Sequence, residues 1–214
     1  MKVLLFGASG AIGSQIATEL LGRGHQVTGA TRHGPAGDLS NPNLTVTTGD
    51  LTDPGAVARL APGHDAVASA IGPIRGSSDD PQELVAAAKA LIDGLRQAGV
   101  PRLVVVGGAG SLEAAPGVRV IDTPDFPPAW KPTAQAHADA LEVYRTITDL
   151  DWTYISPAAL IGPGERTGQF RIGGDQLLTD AEGNSRISIP DYAIAFVDEL
   201  EQGDAIRRRI TIAY

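Results

Sequence analysis

Residues 2–32, KVLLFGASGAIGSQIATELLGRGHQVTGATR, constrain the fold more than any other stretch of the chain. The run 3–6 is short, apolar and bounded by glycine, as a buried strand would be. Gly7, Gly10 and Gly13 follow it at the spacing GxxGxxG. Beyond them Ile12, Ile16 and Leu20 recur every four residues, with Ala17 and Leu21 beside them, so one face of a helix is apolar. Gly22 and Gly24 end that helix, and residues 27–31 supply a second strand. Strand, glycine turn, helix and strand in that order make a βαβ unit.

Where a strand turns directly into a helix, the backbone often needs a conformation closed to side chains, and an anion can approach only where no Cβ intervenes. The first helical turn offers N–H groups and the positive end of the helix dipole. The stretch therefore predicts a dinucleotide grip, with Gly7, Ser9, Gly10, Ala11, Ile12 and Gly13 around the pyrophosphate. A merely structural glycine-rich turn is the plainer alternative.

The end of the second strand selects the dinucleotide. An acid there would bind the ribose 2′-OH and repel a 2′-phosphate, whereas arginine would pair with the phosphate. The sequence offers Ala30, Thr31, Arg32 and His33, with no acid. A planar guanidinium suits phosphate, and a charge-assisted hydrogen bond contributes about 1.5–3 kcal/mol. Arg32 thus favours NADP(H), with NAD(H) second, against the alternative of an ordinary solvated arginine.

The 214 residues contain no linker-like segment, so a single domain over 1–214 is expected. No apolar run approaches the length that spans a bilayer. The chain enters a strand within two residues, which leaves no room for a signal peptide and implies the cytoplasm. With no cysteine there are no disulfides, thiolate metal sites or cysteine nucleophiles. The net charge of −8 argues against general nucleic-acid binding. The four histidines are scattered without metal-ligand spacing, so no metal is expected.

Further strands are expected at 44–48, 65–71, 103–106, 152–156 and 210–214, with a short one possible at 186–189. Helices are expected after Asp53-Pro54, over 82–98 and 133–147, and from Asp191. Residues 76–81 read as a polar loop. The alternation predicts an α/β, Rossmann-type, doubly wound and mostly parallel sheet with helices on both faces. Ligands bind such sheets beyond the carboxyl ends of the strands. Two irregular regions, about 107–130 and 158–185, follow strands and are expected to wall a substrate pocket, with Phe126, Trp130 and Phe170 as candidate lining.

GASGAIG after the first strand, Arg32 after the second, Gly49-Asp50-Leu51 after the third and Ser69-Ala70-Ile71-Gly72-Pro73 after the fourth resemble the atypical short-chain dehydrogenase/reductases. The likeness is greatest to the NAD(P)H-binding branch that holds biliverdin-IXβ/flavin reductases and nitrogen-metabolite-repression-type redox sensors. GGAGSL at 107–112, DTPDFP at 122–127 and DWTYISPAALIGPGERTGQFR at 151–171 resemble a bacterial group in that branch, often named NAD-dependent epimerase/dehydratase by fold alone. The resemblance implies that Asp50 and Leu51 lie against the adenine and Ser69, Ala70, Ile71 and Gly72 against the ribose. Asp50 has the alternative of an ordinary turn residue after Gly49.

Ordinary short-chain reductases use a tyrosine four residues before a lysine, which lowers the phenol pKa for proton exchange with an alcohol. The residues four after Tyr144, Tyr154 and Tyr192 are Thr148, Ala158 and Phe196, so that pair is missing. Lys131 lacks a tyrosine at matching spacing. Trp152 and Tyr154 share a strand face and read as core. Flavin and biliverdin reductases of the branch lack the pair too, and hydride delivery to a flat conjugated acceptor needs mainly stacking. Ser111 and His137 are the candidate catalytic residues, the histidine as a proton donor with a pKa near working pH. Arg166 and Arg171 are candidates for an acidic substrate, with an ion pair to Glu165 as the simpler role.

The leading expectation is an NADPH-dependent reductase of a small, flat, conjugated molecule such as a flavin or quinone, acting as a monomer or small homo-oligomer. A non-catalytic NADP(H) redox sensor and an NAD(P)-dependent epimerase/dehydratase are the alternatives.

Overall fold

The computed structural model describes residues 1–32, 41–72 and 82–214. The first half runs β1 (Lys2–Phe6), α1 (Ala11–Gly22), β2 (Gln26–Thr31), β3 (Leu44–Thr48), α2 (Pro54–Leu60), β4 (Ala66–Ser69), α3 (Gln82–Ala98) and β5 (Arg102–Val106). A hairpin of β6 (Glu113–Ala115) and β7 (Val118–Arg119) follows, then α4 (Lys131–Arg145) and β8 (Asp151–Pro157). The chain ends with β9 (Leu160–Gly162), β10 (Arg171–Gly173), β11 (Arg186–Ser188), α5 (Ile189–Gln202) and β12 (Arg208–Ala213).

Eight strands form one sheet in the order β10-β12-β8-β5-β4-β1-β2-β3, and every neighbouring pair is parallel except β10 with β12. The expected α/β, doubly wound sheet is the observed one. Its central strands are apolar throughout because both faces are covered. Val3 and Leu5 point to a layer with Ile16 and Leu20 of α1 and Phe196 of α5, while Leu4 and Phe6 point to one with Val57 of α2, Leu91 of α3 and Leu141 of α4. The chain leaves β1 toward β2 on one side and returns to β4 on the other, which opens a crevice at the carboxyl ends of β1 and β4.

The long elements fall close to their expected positions. β8 extends through Pro157, which still pairs with Ile212 of β12 at the end of the ladder. α5 begins two residues before Asp191, with Pro190 in its first turn and the Ser188 hydroxyl accepting from the Asp191 N–H at 3.1 Å. The regions expected to be irregular hold short strands: β6 and β7 in the first, β9 and β10 in the second. Strands of two or three residues are too short to show an alternation, and their pairing partners fix them. The polar loop at 76–81 lies outside the described residues.

Candidate functional site

The glycine loop joins β1 to α1. Gly7 has φ +79°, and a Cβ there would sit 2.7 Å from the Ala70 carbonyl oxygen. A Cβ on Gly13 would come within 2.0 Å of the Gly7 carbonyl oxygen, so these two glycines let the helix pack against the strand ends. Gly10 differs. Its φ of −74° suits any residue, and the nearest atom to an added Cβ is the Gly7 oxygen at 3.4 Å. What a side chain at Gly10 would occupy is the open outer face of the loop, where Ser9, Gly10 and Ala11 are exposed. The first intrahelical bond is Ser14 N–H to the Gly10 carbonyl, so the N–H groups of Ala11, Ile12 and Gly13 precede it at the positive end of α1. This cradle fits a pyrophosphate.

Arg32, just past β2, is exposed and donates from Nη1 to Glu83 Oε1 of α3 at 3.3 Å. His33 lies outside the described residues, as does Pro73. Asp50 Oδ1 accepts from the Thr52 N–H at 2.9 Å and the Thr52 hydroxyl at 2.8 Å. These bonds, with Arg32 nearby, hold its carboxyl below the usual range. Asp50 is held in a turn by these bonds, and it is exposed. Leu51 is 2% exposed and Ser69 3% exposed. The Leu51 side chain belongs to the core with Phe6 and Val57. Ala70, Ile71 and Gly72 continue past β4 into the crevice beside the glycine loop.

A cavity of about 490 Å³ occupies the carboxyl ends of β4, β5 and β8. Ile12 of α1 and Ile71 form one side, and Gly108 and Ala158 line it after β5 and β8. Phe126 and Trp130, two of the three expected aromatic residues, line it from the region leading into α4, and Thr133 lines it from the first turn of α4. Phe170 packs instead on the core layer under α1 and α5. Among the described residues no charged side chain lines this cavity.

His137 lines the cavity from α4. It is held from below by Tyr154, whose hydroxyl donates to the His137 carbonyl oxygen at 2.9 Å, stands 3.4 Å from His137 Nδ1 and accepts from the Gly108 N–H at 3.3 Å. Gly108 has no room for a side chain, since a Cβ would lie 2.8 Å from His137 Cβ. Burial pushes the imidazole down to about 4, so His137 is neutral near pH 7. The expected pKa near working pH does not hold, because the apolar surroundings disfavour the imidazolium.

Ser111 is turned away. Its hydroxyl accepts from Arg209 Nη1 at 2.9 Å, and Arg209 also pairs with Asp175, while the cavity lining stops at Gly110. The reason is packing: the buried guanidinium of Arg209 needs acceptors, and Ser111 supplies one. Lys131 is exposed at the first position of α4 and outside the lining. The tyrosine hydroxyls are engaged elsewhere: Tyr192 with the Ile155 carbonyl at 2.6 Å, Tyr214 with Asp191 at 2.8 Å, and Tyr154 as above. Tyr144 is buried among Trp152 and Tyr154. Arg166 pairs with Glu19 of α1 at 2.9 Å rather than with Glu165, and Arg171 donates to the Thr179 and Tyr214 carbonyls. Both arginines thus join the second irregular region to the body of the fold.

The residues missed by sequence reasoning are Gly108, Glu83 and the hydroxyl of Tyr154. Tyr154 reads correctly as core, and nothing local marks its polar end as the support of a residue on another element. Among the described residues no group of three histidines, aspartates or glutamates could hold a metal ion, and no helix is long and apolar enough to cross a membrane.

Solved structures resemble the whole chain. One from Burkholderia pseudomallei, provisionally named an exported protein, is 54% identical, covers 100% of both chains and superposes with a TM-score of 0.91. Another from Bacteroides thetaiotaomicron, provisionally named an epimerase, is 40% identical over 100% of this chain and 96% of its own, with a TM-score of 0.92. A third from Streptococcus pneumoniae, provisionally named an NADH-flavin reductase, is 36% identical over 100% of this chain and 99% of its own, with a TM-score of 0.84. A family model described as NAD(P)H-binding matches residues 7–200, and the chain belongs to this NAD(P)H-binding family.

Proposed function

We propose that the protein is an NADPH-dependent reductase of a small, flat, conjugated acceptor. The observation that carries this reading is the apolar cavity at the strand ends, continuous with the glycine loop and lined by no tyrosine or lysine among the described residues. When bound, NADPH supplies a hydride. The chain's own residues do the rest. Gly7, Gly10, Gly13 and the N-terminus of α1 hold the pyrophosphate, and Arg32 turns from Glu83 to a 2′-phosphate. Ile12, Ile71 and Ala158 exclude water, while Phe126 and Trp130 offer faces on which a conjugated ring stacks. The proton that completes the two-electron reduction comes from solvent, because burial keeps His137 neutral near pH 7 and its remaining N–H is a weak acid.

The provisional NADH-flavin reductase name of the pneumococcal relative agrees with a flavin-like acceptor, while it names NADH rather than NADPH. The epimerase name of another relative asks for an acid/base at the epimerised carbon, and the tyrosine hydroxyls are all occupied or buried away from the cavity. Steady-state NADPH oxidation with flavins, quinones and enones tests the proposal. Tight NADPH binding without oxidation by any of them would reject it in favour of a redox sensor.

A further inference from the structure

Tyr154 has one hydroxyl proton and three polar neighbours. Its proton goes to the His137 carbonyl oxygen at 2.9 Å, the nearest acceptor. Its oxygen then receives the Gly108 N–H at 3.3 Å and stands 3.4 Å from His137 Nδ1. With the hydroxyl proton committed, the contact to Nδ1 is favourable only if Nδ1 carries the hydrogen and donates it. The neutral imidazole has one N–H, so Nε2 keeps a lone pair. Nε2 lies near Gly72, where an added Cβ would stand 3.4 Å from it. It has no hydrogen-bond partner among the described residues, and it is not a sealed buried atom, so it opens to the cavity that His137 lines.

We infer that His137 is a specificity residue that presents Nε2 as a hydrogen-bond acceptor, and that the cavity therefore selects an uncharged flat molecule donating an N–H or O–H to it. The inference rests on the reductase reading for the molecule's role as acceptor of the hydride, and on binding geometry alone for its selection. Two properties of the cavity converge. No charged side chain lines it among the described residues, so a phosphate or carboxylate brought inside would lose its hydration without a counter-ion. A molecule without a donor would leave Nε2 desolvated and unsatisfied, whereas an imide, lactam or phenol would satisfy it. Tyr154 of β8 is the titratable group that faces the imidazole, and burial pushes its phenol up, so it stays neutral beside His137.

Calorimetric binding to the NADP-loaded protein tests this with two pairs of probes. Lumiflavin carries a ring N–H that 3-methyllumiflavin lacks, and FMN differs from riboflavin by its phosphate. Lumiflavin should bind about tenfold more tightly than its methylated form, and riboflavin about tenfold more tightly than FMN. An added methyl also adds bulk, so the first pair is repeated in His137→Leu, where the difference should vanish, and in His137→Gln, where the amide oxygen should retain it. Equal affinities within either pair in the wild type, a difference that persists in His137→Leu, or no binding of any probe would overturn the inference. The reductase reading fails separately, if bound lumiflavin is not reduced by NADPH.

Discussion

The hydroxyl of Tyr154 donates to the carbonyl oxygen of His137 at 2.9 Å and stands 3.4 Å from Nδ1 of the same residue. One side chain on β8 thereby fixes both the backbone and the ring of a residue on α4, in the wall of the cavity. Tyr154→Phe removes the acceptor of the Gly108 N–H and the partner of Nδ1 while keeping the ring packed against Tyr144. The expected result is a loss of about 1–2 kcal/mol in urea unfolding. KM for the acceptor should rise severalfold with little change in NADPH affinity, which the same assays read out.

The depressed imidazole pKa links stability to pH. His137 binds its proton at about 4 in the folded chain against 6.5 ordinarily, so between these values the unfolded chain holds more protons. Stability from this group is complete above pH 6.5 and falls as pH drops toward 4, by at most about 1.4 kcal/mol per unit. Partial access to the cavity reduces the slope. Denaturant unfolding of wild type and His137→Gln at several pH values isolates the effect. The difference between the two should change between pH 6.5 and 4 and stay flat above, and a flat difference throughout would refute the shift.

Arg32 and Glu83 form an exposed pair at 3.3 Å, so a 2′-phosphate competes with a carboxylate for the guanidinium. Arg32→Ala should weaken NADPH at least tenfold and NADH less than twofold. Glu83→Gln should do the reverse and tighten NADPH about two- to fivefold by removing both competitor and like charge. Calorimetry of the two dinucleotides against the two variants decides it. Equal changes for NADPH and NADH would show that Arg32 does not touch the 2′-phosphate.

Ser111 accepts from Arg209 at 2.9 Å, outside the cavity lining. Ser111→Ala should leave kcat and KM for NADPH oxidation within twofold and lower stability by about 1 kcal/mol, since the buried guanidinium loses one acceptor. A fall of a hundredfold in kcat with unchanged stability would return Ser111 to the chemistry.

The fold was legible where a pattern is local and repeats. Ile12, Ile16 and Leu20 announce α1, and residues 3–6 read as a buried strand because they are short, apolar and bounded by glycine. β10 has three residues, and its pairing with β12 is written in no local alternation. The site divides the same way. The glycine loop and Arg32 stand directly after their strands in sequence order, and His137 reads as lying on the helix after the fifth strand. Its ring stands against Tyr154, 17 residues away and on another element, and its pKa is lowered by burial that sequence does not report. Ser111 is not legible in the same way, because a serine after glycines looks alike whether it faces a cavity or the buried Arg209.

The three loop glycines should separate under alanine substitution, because they are small for different reasons. A Cβ at Gly13 meets the Gly7 carbonyl oxygen at 2.0 Å, a backbone atom that cannot move without dislodging α1. Gly13→Ala should therefore lower stability by more than about 2 kcal/mol, with NADPH affinity lost as a consequence. Gly7→Ala combines a 2.7 Å clash with φ +79° and should be comparably harmful. Gly10 has an ordinary φ of −74° and 3.4 Å of clearance, so Gly10→Ala should fold with a loss within about 1 kcal/mol. If the pyrophosphate lies on the outer face of the loop, that stable variant should still bind NADPH at least tenfold more weakly. Thermal unfolding with and without NADPH separates the two effects, and undiminished ligand stabilisation in Gly10→Ala would remove the cofactor from this face of α1.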